Sequence, residues 1–111
     1  MDRKEKIIWA AGFFDGEGTI TIKRVTRQNG KRYHLPYISC SQSNKDKAAK
    51  KSIQTLKELF GGSIYLYRQT GNRIDTYQWS VASDAATVCL KEITPYLIVK
   101  KKQALLLDKF I

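Results

Sequence analysis

Histidine and cysteine are nearly missing from this chain. It holds one histidine, His34, and two cysteines, Cys40 and Cys89, set 49 positions apart with no CxxC pairing. That spacing argues against a zinc site. Both cysteines lie in apolar contexts and read as buried free thiols of a reducing compartment. Long hydrophobic runs are lacking as well: no stretch approaches the length of a membrane span, and the opening MDRKEK has no signal-peptide apolar region. The chain is therefore expected to be soluble and intracellular, with no membrane partner. No linker or low-complexity stretch interrupts it, so residues 1–111 are read as one domain. Acidic residues are scarce too, 10 against 20 Lys and Arg, for a net charge of +10 and a pI near 9.8. So basic a small domain carries the electrostatic footprint of a polyanion binder.

What is present is patterned. Residues 3–15 read as a first helix around the apolar run IIWAAGFF. TITIKRVTR then alternates, with Ile20 and Ile22 on one face. Asn29-Gly30 is a strong hairpin signal, and KRYHLPYISCSQ returns as a second strand in which Pro36 should lie at an irregular or unpaired position. Ser43 with Asp46 resembles a capping box opening a second helix, whose Ala49, Ile53, Leu56 and Phe60 share a stripe and which Gly61-Gly62 should end. A second hairpin follows, SIYLYRQ and DTYQWSV around Thr70-Gly71-Asn72. Ser83 is expected to cap a short helix to about Ile93, Thr94-Pro95 to interrupt it, and a last helix with a basic start to follow. The order is α-ββ-α-ββ-α-α, which predicts an α+β fold: one antiparallel sheet, helices on one face, the other face open.

Strand parity assigns that open face. With Ile20, Ile22, Ile64, Leu66, Trp79 and Val81 inward, the outward residues are Thr19, Thr21, Lys23, Val25 and Arg27 on the first strand. Tyr33, Tyr37 and Ser39 follow on the second, Tyr65, Tyr67 and Gln69 on the third, and Thr76, Gln78 and Ser80 on the fourth. Such a set can hydrogen-bond base edges, and a two-stranded ribbon fits the major groove. With the positive charge this favours double-stranded DNA as partner; exposed tyrosines keep single-stranded RNA as an alternative. His34 is read as a polar strand residue without chemistry. Trp9, Phe13, Phe14, Phe60 and Trp79 are read as core or dimer packing.

The stretch WAAGFFDGEGTITI, residues 9–22, carries the chemistry. Glycine inside a helix costs roughly 1 kcal/mol relative to alanine, yet Gly12 and Gly16 share one helix face beside Ala11. A stripe without side chains lets another helix approach closely, and the natural partner is the same helix in a second copy about a two-fold axis. Ala11, Gly12, Asp15 and Gly16 are therefore read as the dimer interface. Asp15 and Glu17 sit where that helix meets the sheet. A carboxylate beside DNA phosphates would be repelled without a metal, and makes sense if it binds Mg²⁺ for phosphodiester hydrolysis.

AAGFFDGEG, residues 10–18, resembles the LAGLIDADG signature of homing endonucleases, and the αββαββα order over nearly the whole chain is similar too. One motif in a chain of 111 residues resembles the single-motif, homodimeric branch. The resemblance implies a saddle-shaped sheet, a long and nearly palindromic DNA site, and cleavage of both strands with Mg²⁺, two or three ions per dimer. It implies Glu17 and Gly16 at the metal, with Glu where Asp is common, and a structural role for Asp15. It further implies Gln42 as the polar residue that positions solvent and Lys100 as the lysine near the scissile phosphate, a role Lys102 could share. A further basic residue found in some relatives would fall among Lys45, Asp46 and Lys47. Relatives of this fold also act without cleavage, so an RNA maturase or DNA-binding regulator is the alternative reading.

Overall fold

The structure, a computed structural model, describes residues 1–43, 47–68, 70–71 and 74–110. Helix α1 spans Arg3–Glu17, two residues beyond the sequence expectation, so both acids of the motif lie in its last turn. It opens on a capping box that the sequence reading overlooked. The Asp2 carboxylate accepts from the Glu5 amide and the Glu5 side chain accepts from the Asp2 amide, pairing two N–H groups that the helix itself leaves without partners. Ile7, Ala10, Ala11 and Phe14 form its buried stripe at helical spacing. Gly18 then turns the chain directly from helix into strand. A Cβ there would stand 2.6 Å from the Phe14 ring and 2.8 Å from the Phe14 carbonyl oxygen, so only glycine fits.

Four antiparallel strands follow: β1 Gly18–Thr26, β2 Arg32–Ser43, β3 Ser63–Tyr67 and β4 Thr76–Ala82, in the order β1-β2-β4-β3. The β1–β2 turn is the one foreseen at Asn29-Gly30, with Gly30 at φ +79° and the Asn29 side chain accepting from the Lys31 amide at 3.0 Å. Strand β2 carries the sheet. It pairs with β1 from Arg32 to Cys40 but with β4 only from Tyr37 to Ser43. Pro36 thus lies inside the strand, opposite Ile22, one residue before the β4 pairing begins, where a residue with no N–H to donate leaves nothing unmet on that side.

Helix α2 (Lys47–Phe60), helix α3 (Ser83–Ile93), a 3-10 turn at Thr94–Tyr96 and helix α4 (Lys101–Phe110) complete the chain. Asp46, half of the expected second capping box, lies outside the described residues. Gly61 and Gly62 end α2 with positive φ, as read from the sequence. A Cβ on Gly62 would meet the Ser80 carbonyl at 2.3 Å, and Gly61 offers its carbonyl to the Trp79 indole N–H at 2.8 Å. Trp79 with Phe14, Ile38, Ile53, Leu56, Leu90 and Ile93 forms one core between helices and sheet. Cys40 and Cys89 are buried, free thiols within it.

Two expectations are corrected here. Ser83 does not cap α3: it is the first helical residue, with φ +57°, and the preceding Ala82 makes no side-chain cap bond. Ile22 has the inward parity assigned to it but is 37% exposed, because the helix layer covers Ile20 and stops short of the outer β1–β2 ribbon. The opposite sheet face is left uncovered by helices. Among the described residues no helix is long and apolar enough to cross a membrane.

Candidate active site and nucleic-acid interface

The two acids of the first helix have separate surroundings. Both oxygens of Asp15 are engaged: Oδ2 accepts from the Ile98 amide at 2.8 Å and Oδ1 from the Lys100 amide at 3.0 Å. In return the Lys100 ammonium donates to the Asp15 carbonyl at 2.7 Å. The Lys100 carbonyl in turn accepts from the Ala104 amide at 3.0 Å, opening α4. One carboxylate therefore fastens the start of α4 to the end of α1. A lysine at that end also suits the negative pole of the α1 dipole. Glu17, by contrast, is exposed and makes no hydrogen bond or ion pair among the described residues.

The remaining expected site residues lie on β2 and α4. Gly18 pairs with Cys40, and Gln42 lies two residues further along β2, about 7 Å beyond that pair. It is half-buried, shares the helix-side parity of Cys40, and stands opposite Tyr77. Cys40 reports the neighbourhood electrically. Burial pushes its thiol pKa far up, Cys89 adds to that, Lys100 draws it down and Glu17 raises it. Lys102 is exposed on α4 with no partner among the described residues, and Lys45 and Asp46 lie outside them.

Could these residues hold a divalent cation? Among the described residues no three His, Cys, Asp or Glu side chains gather into a closed cage. Mg²⁺ does not require one, since it binds through one or two carboxylates and keeps waters and substrate phosphates as its other ligands. The unengaged Glu17 carboxylate beside exposed Gly16 fits that mode, and the engaged Asp15 carboxylate does not.

On the open face the strand register brings the expected residues together. Thr19, Ser39 and Ser80 form one row across β1, β2 and β4, and Ser39 at its centre is only 7% exposed. Gln78 stands opposite Tyr65 and Thr76 opposite Tyr67, with the two tyrosine rings 4.6 Å apart. Thr21 stands opposite Tyr37, and Val25 opposite Tyr33. The Lys23 ammonium lies 4.9 Å from the Tyr37 ring centre and the Arg27 guanidinium 4.4 Å from that of Tyr33. Gln69 lies outside the described residues. Leu35, Ser41 and Ser43 share this face and were missed, although the alternation through Ser39 could have carried the reading on to them.

The exposed side of α1 presents Ile8, Gly12 and Gly16, flanked by half-buried Trp9 and Phe13 with rings 5.4 Å apart. A Cβ at Gly12 or Gly16 would meet nothing within 4 Å, so the protomer's own packing does not require either glycine. Ala11 is corrected: it is fully buried in the protomer and does not belong to the exposed stripe.

The family model described as LAGLIDADG endonuclease matches residues 10–109, and the chain belongs to that family. Solved structures share the fold. The homing endonuclease I-CvuI, in complex with its target in the presence of Ca, superposes with a TM-score of 0.77 at 23% identity over 96% of this chain and 66% of its own. The archaeal intron-encoded homing endonuclease I-Vdi141I, complexed with DNA, gives 0.70 at 22% identity over 97% and 67%. The LAGLIDADG homing endonuclease I-SmaMI, bound to cleaved DNA, gives 0.65 at 25% over 94% of this chain and 34% of its own. The chain therefore spans just under two thirds of I-CvuI and about a third of I-SmaMI. No curated protein matches it by sequence.

Proposed function

We propose that this chain is a site-specific, divalent-metal-dependent DNA endonuclease that works as a homodimer on a long, nearly palindromic duplex. The observation that carries the reading is the division of labour between the two motif acids: Asp15 is consumed by the Ile98 and Lys100 amides, and Glu17 is left unengaged at the sheet's edge. The fold it shares with homing endonucleases solved on DNA supports the same reading.

In this mechanism Glu17 and Gly16 would hold the cation, which would supply Lewis-acid activation of the phosphodiester and a water of lowered pKa. Lys100, held by Asp15 through both its amide and its ammonium, keeps two further ammonium donors to face the scissile phosphate, where charge builds up. Gln42 orients solvent from the adjoining strand end. The open sheet face tracks the major groove and the exposed glycine side of α1 meets its copy, so that two such corners address the two DNA strands.

The test is a cleavage selection. Protein with Mg²⁺ is incubated with a library of near-palindromic duplexes, and the Glu17→Gln variant is run alongside. Cut ends enriched only by the unmutated protein are expected. Enriched binding without cut ends in either sample would replace the proposal with a non-cleaving DNA-binding module. Preference for structured RNA over duplex would replace it with a maturase.

A further inference from the structure

The outer ribbon of the open face repeats one geometric unit. In the β1–β2 register Tyr37 stands opposite Thr21, and Tyr33 opposite Val25. Lys23 and Arg27 lie two residues beyond those positions, and each reaches back diagonally over the ring, at 4.9 Å and 4.4 Å from its centre. The same diagonal therefore occurs twice, four residues apart. Arg27 is held in step although β1 has ended, because its amide still donates to the Lys31 carbonyl at 3.0 Å.

β1 is an edge strand, and cations on an edge ordinarily lean outward into solvent, where a duplex would offer the phosphates of the groove wall. Here the ring faces of two β2 tyrosines hold both cations, which ties them toward the neighbouring strand instead of leaving them free to lean outward. A ribbon lying in the major groove points its midline at the groove floor, where base edges are exposed. Lys23 and Arg27 are donors only, and guanine is the base that offers two acceptors there, O6 and N7. Four residues of strand span about 13 Å, close to the axial length of about four base pairs.

Resting on the reading of the open face as a duplex-DNA interface, we infer that Arg27 and Lys23 are specificity-determining residues. They read two guanines about four base pairs apart in each half of the target, and Tyr33 and Tyr37 are the positioning residues that aim them. The rings do not contact the bases in this arrangement. They fix where each cation points before DNA arrives, which lowers the ordering cost of binding at those two positions.

The experiment is a binding selection with the full chain and randomised duplexes, with Ca²⁺ in place of Mg²⁺, for the unmutated protein and for Arg27→Ala, Lys23→Ala, Tyr33→Leu and Tyr33→Phe. The unmutated protein should enrich guanine at two positions about four base pairs apart in each half-site. Arg27→Ala should flatten the preference at one of them by roughly tenfold, and Lys23→Ala at the other. Tyr33→Leu should flatten the same position as Arg27→Ala although the arginine is still present. Tyr33→Phe, which keeps the ring face, should leave it intact. Thermal melting of each variant separates these effects from unfolding. Uniform weakening at every position, with the salt dependence reduced by about one unit for each cation removed, would mark phosphate contacts and overturn the inference. Sequence-selective binding without the guanine pair would overturn it while leaving the endonuclease reading standing. No binding to any duplex would remove both.

Discussion

Asp15 and Lys100 are fastened to each other by two reciprocal bonds: the Asp15 carboxylate takes the Lys100 amide at 3.0 Å, and the Asp15 carbonyl takes the Lys100 ammonium at 2.7 Å. With the Ile98 amide on the second carboxylate oxygen, the junction between the 3-10 turn and α4 hangs on one side chain of α1. Hydrogen bonds to a charged group contribute roughly 1.5 to 3 kcal/mol each. Asp15→Ala is expected to lose about 2 to 4 kcal/mol of stability by chemical denaturation. Cleavage should fall further than duplex binding, because Lys100 loses the carboxylate that holds its backbone and keeps only the bond from its ammonium to the residue 15 carbonyl. A variant as stable as the unmutated protein would show that the junction is held some other way.

Glu17 should behave in the opposite manner. Its carboxylate has no partner to lose among the described residues, so Glu17→Gln should unfold within about 0.5 kcal/mol of the unmutated protein. Calorimetric titration with Mg²⁺ or Ca²⁺ on duplex-bound protein should nevertheless show metal uptake sharply reduced. Unaltered uptake would transfer the metal to other residues.

Gly12 offers a clean test of the dimer. Nothing in the protomer lies within 4 Å of a Cβ at that position, so Gly12→Leu meets no obstacle in its own chain. It should even gain up to about 1 kcal/mol of helix propensity. The expected product is a folded protein with a monomer's sedimentation mass. A dimer that survives the substitution would place the two-fold contact elsewhere.

The buried thiols set a limit on alkaline stability. Burial pushes Cys40 and Cys89 far above the ordinary thiol value of 9.0, so the folded chain keeps both protons where the unfolded chain releases them. Their contribution is complete below about pH 9 and is lost as pH rises beyond it. The decline approaches about 1.4 kcal/mol per pH unit for each thiol. Denaturation curves should therefore steepen in their pH dependence above that point, and a Cys40→Ala, Cys89→Ala double variant should remove the excess.

Much of this architecture is written locally. Asn29-Gly30 specifies its turn, Gly61-Gly62 its helix end, and the Ala49, Ile53 and Leu56 stripe its buried face. Parity assigns Thr19, Ser39 and Ser80 to the open face, and the strand register sets them in one row. Other features depend on partners far away in the chain. Asp15 meets residues more than 80 positions distant, and nothing near it in sequence announces them. Ala11 lies in a run that is apolar on every side of the helix, so periodicity could not tell its core side from its exposed side. Ile22 has the right parity for burial, but how far the helix layer extends is decided by the packing of α4. Ser83 looks like a helix cap, yet the turn out of β4 places it at φ +57° inside the first turn.

The early end of β4 has a mechanical consequence. From Arg32 to Pro36 the strand β2 has only β1 as neighbour, so the far part of the open face is a two-stranded arm projecting from a four-stranded plate. Tyr33 stands seven residues along β2 from Cys40, the partner of Gly18 at the end of α1, a span of about 23 Å. Changes at that separation add independently of one another. Substitutions on the arm are therefore expected to leave the Asp15–Lys100 junction as it is, so the two ends of the sheet can vary separately.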